Sequence, residues 1–396
     1  MSNPNSRSFR ILHGQVVTPH GIVKDGAVTV IDGIIHDVGS SSEFAPEGAD
    51  PPVEVIDAKG AYVLPGFIDI HVHGGLKEDF TNSTQESLDI ITKFHAAQGT
   101  TAMLATTMTT PKEVLDQVLE EVHAYRSQEM PYAQLEGVHL EGPFISPKWP
   151  GAQNPEHIVP PNKDWIEAWE AKYPGLIRQV TLAPEREGAH DLIRYLRSKG
   201  IVAAAGHTDA TYEEVMAAVD AGLHHSVHMF NAMTPLHHRK PGAAGAILSS
   251  PQISTEIIAD GIHVHPAAIS IIARLKTAEN FILITDAMSA AGLGDGEYML
   301  GDLPVIVEDH VCTLKESPGT LAGSTLTMIR GFRYLVEQVG LGVEYASRMA
   351  SGNPARLLGI ENRTGSIETG KQADLLLVDQ HKLELMKVWI KGRQNK

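Results

Sequence analysis

Apolar and polar residues alternate through most of the first 60 positions. FRILHGQVVT, GAVTVIDGIIHDVG and VEVIDAKGAYVLPG all carry this period-two pattern with glycine punctuation, which predicts short strands joined by turns. From Pro65 onward short apolar runs alternate with helical periodicity, the mark of βα units around a parallel sheet. The clearest helix is predicted over Thr84 to Gln98, opened by Ser83 with Glu86 as its capping-box partner and closed by Gly99. Later strands are predicted in QLEGVHLEG, RQVTLAPE, GIVAAAGHT, HSVHMF, STEIIADG and FILITDAM, and their number suits an eightfold barrel. After Asn353 the β pattern returns in GSIETGKQADLLLVD and KLELMKVWIKG. The expected architecture is α/β: a (β/α)8 barrel over 64–363, with a small β-sandwich domain formed by 1–63 and 364–396.

Composition narrows what such a barrel could do. The chain has 396 residues, 42% hydrophobic and 20% charged, enough for one large catalytic unit with an accessory piece. The opening MSNPNSRSFR has no apolar run, and no stretch approaches the roughly 18 apolar residues of a membrane span, so a cytoplasmic protein without membrane contact is expected. A formal charge of −16, from 48 acids against 32 bases, argues against a nucleic-acid surface and for a small-molecule substrate. An anionic substrate would need positive charge gathered locally. Cys312 is the lone cysteine, so a bound metal has to be held by His, Asp and Glu.

Such residues recur at the ends of predicted strands, where barrel loops gather at one face. In FIDIHVHGG, His71 and His73 are two apart on a predicted strand, so both imidazoles point to one side and can share a cation. Packed or hydrogen-bonded histidines are the alternative for that pair taken alone. Glu141 in GVHLEGPF ends another apolar run, with a salt-bridged strand-end acid as the competing reading. His207 follows IVAAAG, with Thr211 a candidate cap for the next helix, and His228 follows one βα unit later. Asp286 ends FILITD, and could instead cap a following helix. Each residue has a structural reading; their recurrence at strand C-termini favours a metal site. Imidazole and carboxylate donors suit Zn2+ or Fe2+, one or two per subunit. Glu141 could bridge two metals, His71 and His73 holding one and His207 and His228 the other. A metal-bound hydroxide would then attack, with Asp286 as general acid/base delivering a proton to the leaving amine.

FIDIHVHG, HLEGPF, AGHTDA, HMFNAM, ADGIHV, TDAM and LAGSTLTM occur in that order before the GxIxxGxxADLxxxD pattern of GSIETGKQADLLLVD. Together they resemble the amidohydrolase superfamily of TIM-type barrels and, within it, the N-acetylglucosamine-6-phosphate deacetylases. The resemblance runs through nearly the whole chain. The His-x-His and the tail motif are superfamily-wide; HLEGPF, HMFNAM and AGSTLTM are more particular. A glutamate stands where most two-metal amidohydrolases carry a carboxylated lysine. The resemblance implies removal of acetate from N-acetyl-D-glucosamine 6-phosphate in amino-sugar catabolism and recycling. It assigns metal ligands to Glu141, His207 and His228, a second metal to His71 and His73, and acid/base chemistry to Asp286. Substrate contacts fall on Ala152, Gln153, Asn231, Ala232, Arg239, Asp260, His263, Leu321, Ala322 and Gly323. It also implies a homodimer, with a phosphate contact from the partner subunit. The basic segment LHHRKPG supplies the local positive charge an anionic substrate needs, with Arg239 able to fork onto a phosphate. Some relatives have a histidine where this chain has Gln153, leaving oxyanion stabilisation to the metal, Gln153 or His263. An amidohydrolase acting on another amide or N-acyl substrate is the alternative. A scaffold that had lost catalysis would be expected to lose ligands, and all six are present.

Overall fold

The structure, a computed structural model, describes residues 7–44 and 54–396; residues 1–6 and 45–53 of the expected N-terminal β unit lie outside them. Its centre is a parallel sheet of eight strands: β1 (Phe67–Asp69), β2 (Thr100–Thr107), β3 (Gln134–Glu141), β4 (Ile177–Leu182), β5 (Val202–Ala205), β6 (His225–Ser226), β7 (Ser254–Ile258) and β8 (Phe281–Ile284). Each strand pairs with its sequence neighbour. Each is followed by a helix, the first at Gln85–Ala96 and the last at Met328–Glu337. Every residue of β2 and β3 is buried, because helices cover the outer face while side chains fill the inner one.

The first and last strands share no ladder. Their seam is closed just beyond the strand ends, where the Asp286 N–H donates to the His71 carbonyl at 2.9 Å and the His73 N–H to the Ala287 carbonyl at 2.8 Å. Below this, the buried Asp69 carboxylate accepts from Thr285 Oγ1 at 2.5 Å. Three candidate metal-site residues thus sit in the segment that completes the barrel.

Two local expectations are corrected. The first helix is capped by Thr84, not Ser83, and the reciprocal partner is Ser87 rather than Glu86, since a serine hydroxyl one residue further on reaches the cap. No helix starts at Asp286, where the chain turns with φ +51° to bond across the seam. Thr211 does cap Tyr212–Ala221, boxed with Glu214.

Strands Phe9–Thr18, Gly21–Ile31, Ile34–Ser40, Glu54–Asp57 and Tyr62–Pro65 form a second sheet with Leu375–Val378, Leu385–Ile390 and Arg393–Gln394. The two ends of the chain join where Leu375–Val378 runs antiparallel to Tyr62–Pro65. The sheet curls over its own core: the Phe9 and Trp389 rings stack at 5.2 Å, although their strands are three ladder steps apart, roughly 14 Å in a flat sheet. An insertion not anticipated from the sequence follows β8: Gly296–Leu300, Leu303–Glu308 and Val311–Leu314 make a three-stranded antiparallel sheet. Its last hairpin turns at Asp309 and His310, both with positive φ, and Leu300, Val305 and Cys312 pack with Met108 and Met288 beside the barrel mouth.

Candidate metal centre

Six side chains from five strand ends come together, four histidines gathering around the Glu141 carboxylate and two of these also facing Asp286. Glu141, the last residue of β3, places Oε1 2.9 Å from His228 Nε2 and 3.2 Å from both His71 Nε2 and His207 Nε2. Its Oε2 lies 3.2 Å from His73 Nε2. Asp286 Oδ1 is 3.2 Å from His73 Nε2 and 3.6 Å from His71 Nε2. β1 itself ends at Asp69, so His71 and His73 lie beyond the strand, on a segment that bends at Ile70 and His71; bonds of Val72 to Thr106 tie it to β2. His207, His228 and Asp286 have φ of +46°, +24° and +51°, backbone that non-glycine residues adopt at a cost and that recurs at functional sites. Gly142, immediately after Glu141, has φ +85°, and a Cβ there would lie 2.1 Å from Thr109 Oγ1.

The cluster concentrates negative charge in a buried space and draws positive charge to it. Burial opposes a charge on His71, yet the Glu141, Glu256 and Asp286 carboxylates push it well above the ordinary imidazole range. His73 is raised to about 9, burial being outweighed by bonds to Asp286 and Glu141. Burial also disfavours ionised Glu141 and Asp286, but the surrounding histidines, His71 first, hold both below the usual carboxylate values. Two further observations fit a cation. His207 Nε2 and His228 Nε2 are 3.1 Å apart, and buried His71 Nε2 has no hydrogen-bond partner although it faces two carboxylates. Two buried groupings, His71–His73–Asp286 and His71–Glu141–His228, bring their donor atoms within 4.8 Å of one another. Nitrogen and oxygen donors in such sets suit a divalent metal.

Residues 62–394 match the amidohydrolase family. The chain belongs to that family. It is 40% identical over 92% of its length to the N-acetylglucosamine-6-phosphate deacetylase of Bacillus subtilis, covering 91% of that protein. It is 36% identical over 96% of its length to the N-acetylgalactosamine-6-phosphate deacetylase of Escherichia coli O157:H7, covering 97% of it. Among solved structures, a mutant N-acetyl-D-glucosamine-6-phosphate deacetylase from Mycobacterium smegmatis, in complex with N-acetyl-D-glucosamine-6-phosphate, superposes with a TM-score of 0.90. It is 34% identical, and the match covers 98% of this chain and 99% of that one.

The amidohydrolase site opens into a cavity of about 720 Å3, within the range of small-molecule pockets. His73, Glu141, His207, His228 and Asp286 line it; so do Ala152, Gln153, Asn231, Ala232, His263, Leu321 and Gly323 from the expected contacts. Asp260 stands behind His263, accepting from Nδ1 at 2.6 Å; its charge holds His263 above the ordinary imidazole value against the effect of burial. Ala322 is buried in the apolar cluster under the insertion. Arg239 does not enter the cavity: it is exposed, with Nη1 2.6 Å from His238 Nε2. Gln153 is tied to Glu141, donating from Nε2 to Oε2 at 2.7 Å while its Oε1 accepts the Thr109 N–H at 2.6 Å.

Sequence reasoning missed three contributors. Leu300, Leu303 and Leu314 of the insertion form an apolar wall, signalled by the alternation of LPVIVEDHVCTL. Lys148 lines the cavity, 2.5 Å from Asp209. Glu256, an acid inside the apolar run STEII, is fully buried beneath His71.

Proposed function

We propose that the chain hydrolyses N-acetyl-D-glucosamine 6-phosphate to acetate and D-glucosamine 6-phosphate. The observation that carries this reading is the convergence of six His, Glu and Asp side chains at one cavity, in a chain similar over nine-tenths of its length to sugar-phosphate deacetylases. Glu141, His207 and His228 are assigned to one divalent cation, Zn2+ or Fe2+; His71 and His73, with Glu141 shared, are assigned to a second. Such a cation supplies Lewis acidity and lowers the pKa of water at the site.

The chain's own groups do the rest. Asp286, held ionised by His71 and His73, accepts the proton of the attacking water at its carboxylate and returns it to the amine as the C–N bond breaks. Gln153 fixes the Glu141 carboxylate rather than the substrate, which leaves His263 to donate to a substrate oxygen, its Nδ1 being occupied by Asp260. The leucines of the insertion give the cavity an apolar wall. Arg239 lies outside the cavity of its own chain, which supports a homodimer in which this loop reaches the partner's substrate phosphate. The barrel is taken as 64–363 and the small β domain as 1–63 with 364–396, in a cytoplasmic enzyme; among the described residues no helix is long and apolar enough to cross a membrane.

Acetate release measured side by side from N-acetylglucosamine 6-phosphate, N-acetylgalactosamine 6-phosphate and unphosphorylated N-acetylglucosamine tests the assignment. The first should be turned over fastest and the last at least a hundredfold less efficiently. Equal efficiency with and without the phosphate would point to another amide or N-acyl substrate.

A further inference from the structure

Glu256 takes no part in the chemistry just described, yet it sits at the centre of the barrel on β7, wholly buried. Barrel interiors are ordinarily filled by layers of branched apolar side chains, and a buried carboxylate is tolerated only where its lone pairs are used. Here all of them are. Oε2 accepts from His71 Nδ1 at 2.8 Å and from the His228 backbone N–H at 3.3 Å. Oε1 accepts from Gln179 Nε2 at 3.1 Å and from His225 Nε2 at 3.0 Å. The Glu256 carbonyl takes the Met229 N–H at 3.0 Å, so the same residue also braces the chain on either side of the His228 carbonyl. Ser254 Oγ, 2.7 Å from His225 Nδ1, fixes the far side of the network.

The consequence falls on His71. With Nδ1–H committed to Glu256, its other nitrogen is the one that would offer a lone pair to a cation in place of a proton, and that nitrogen is the buried atom without a hydrogen-bond partner, 3.2 Å from Glu141 Oε1. We propose that Glu256 is a positioning residue for the cation site: it sets the tautomer and ring orientation of His71, raises the basicity of His71 Nε2, and locks the His71 and His228 sides together. Carboxylate–histidine pairs of this kind tune metal affinity. The inference rests on the reading of the cluster as a metal site, and the test separates the two.

Chelator-stripped protein is titrated with Zn2+ against a chromophoric chelator. Wild type is expected to take up Zn2+, and Glu256→Gln, which keeps the shape and removes the charge, to bind at the His71 side ten- to hundredfold more weakly with an unchanged far-UV spectrum. Long-range proton–nitrogen NMR of Zn2+-loaded wild type is expected to show the His71 proton on Nδ1, a readout independent of whether the variant folds. Unchanged Zn2+ affinity in folded Glu256→Gln, or a His71 proton on Nε2, overturns the proposal. Wild type that takes up no Zn2+ overturns the metal reading along with it.

Discussion

Replacing Asp286 by Asn removes a base while disturbing little else. The bonds that close the barrel seam at this position are main-chain bonds, from Asp286 N–H to the His71 carbonyl at 2.9 Å and from Ser324 N–H to the Asp286 carbonyl at 2.8 Å. They survive the change, and Asn retains an oxygen where Oδ1 lies 3.2 Å from His73 Nε2. What is lost is proton transfer. His71 and His73 keep the Asp286 pKa below its ordinary value despite burial, so at neutral pH the carboxylate is fully in its basic form and the variant forfeits the whole contribution. General acid–base catalysis is worth about 10²- to 10⁴-fold, or about 3–5 kcal/mol of barrier. Acetate release from N-acetylglucosamine 6-phosphate should therefore fall in kcat by that factor, with metal content by plasma emission and melting temperature close to wild type. A variant that keeps its metal and retains more than a tenth of wild-type kcat would refute the proton-carrier role.

Stripping the metal should lower the melting temperature, because the carboxylate cluster loses its counter-charge; for a site loaded at 1,000 times its Kd the stabilisation is about 4 kcal/mol, and calorimetry before and after Zn2+ addition measures it. His228→Ala deprives Glu141 Oε1 of its 2.9 Å neighbour and should cost both bound metal and activity, read by metal analysis. Gly142→Ala meets Thr109 Oγ1 at 2.1 Å in a backbone with φ +85°, and should destabilise the fold by about 1–3 kcal/mol in a denaturant titration. His95 is buried, with Nε2 donating to the Gly74 carbonyl, and burial depresses its pKa to about 4 from an unfolded value of 6.5. The unfolded chain therefore takes up the proton first as pH falls: stability is full above pH 6.5 and lost progressively toward pH 4, by about 3 kcal/mol. His95→Gln, which can donate the same bond, should flatten that acid slope; an unchanged slope would place the loss elsewhere.

The barrel was readable because a parallel sheet covered on both faces leaves apolar runs between helices; β2 was the barrel strand not anticipated, its run being interrupted by threonines at both ends. β6 is the exception in length, only His225–Ser226, because His228 and the residues after it leave the ladder to build the site. The terminal sheet was legible as alternation, but its curl was not: the stacking of Phe9 on Trp389 joins residues from opposite ends of the chain, and no local pattern encodes it. The three-stranded insertion alternates plainly in LPVIVEDHVCTL, but it lies inside the last βα unit, between β8 and its helix, where the barrel repeat itself calls for no strand.

The metal cluster was legible for a different reason. Glu141, His207 and Asp286 each break an apolar run at its C-terminal end, where packing has no use for a charge or an imidazole, and His228 follows at the matching place one βα unit after His207. Glu256 breaks such a run in its middle, and there a sequence cannot say whether the side chain points to the helices or to the barrel axis until neighbouring strands are in register. Only the pairing of β7 with β6 and β8 brings it beneath His71 and beside Gln179 and His225. Ligands placed at strand ends are thus visible to pattern reading, while the residues that orient them from the barrel interior depend on tertiary register. The asymmetry has a physical origin: an acid at a strand end can be relieved by solvent or a cation, whereas one in the interior must be satisfied by other strands, which the local sequence does not contain.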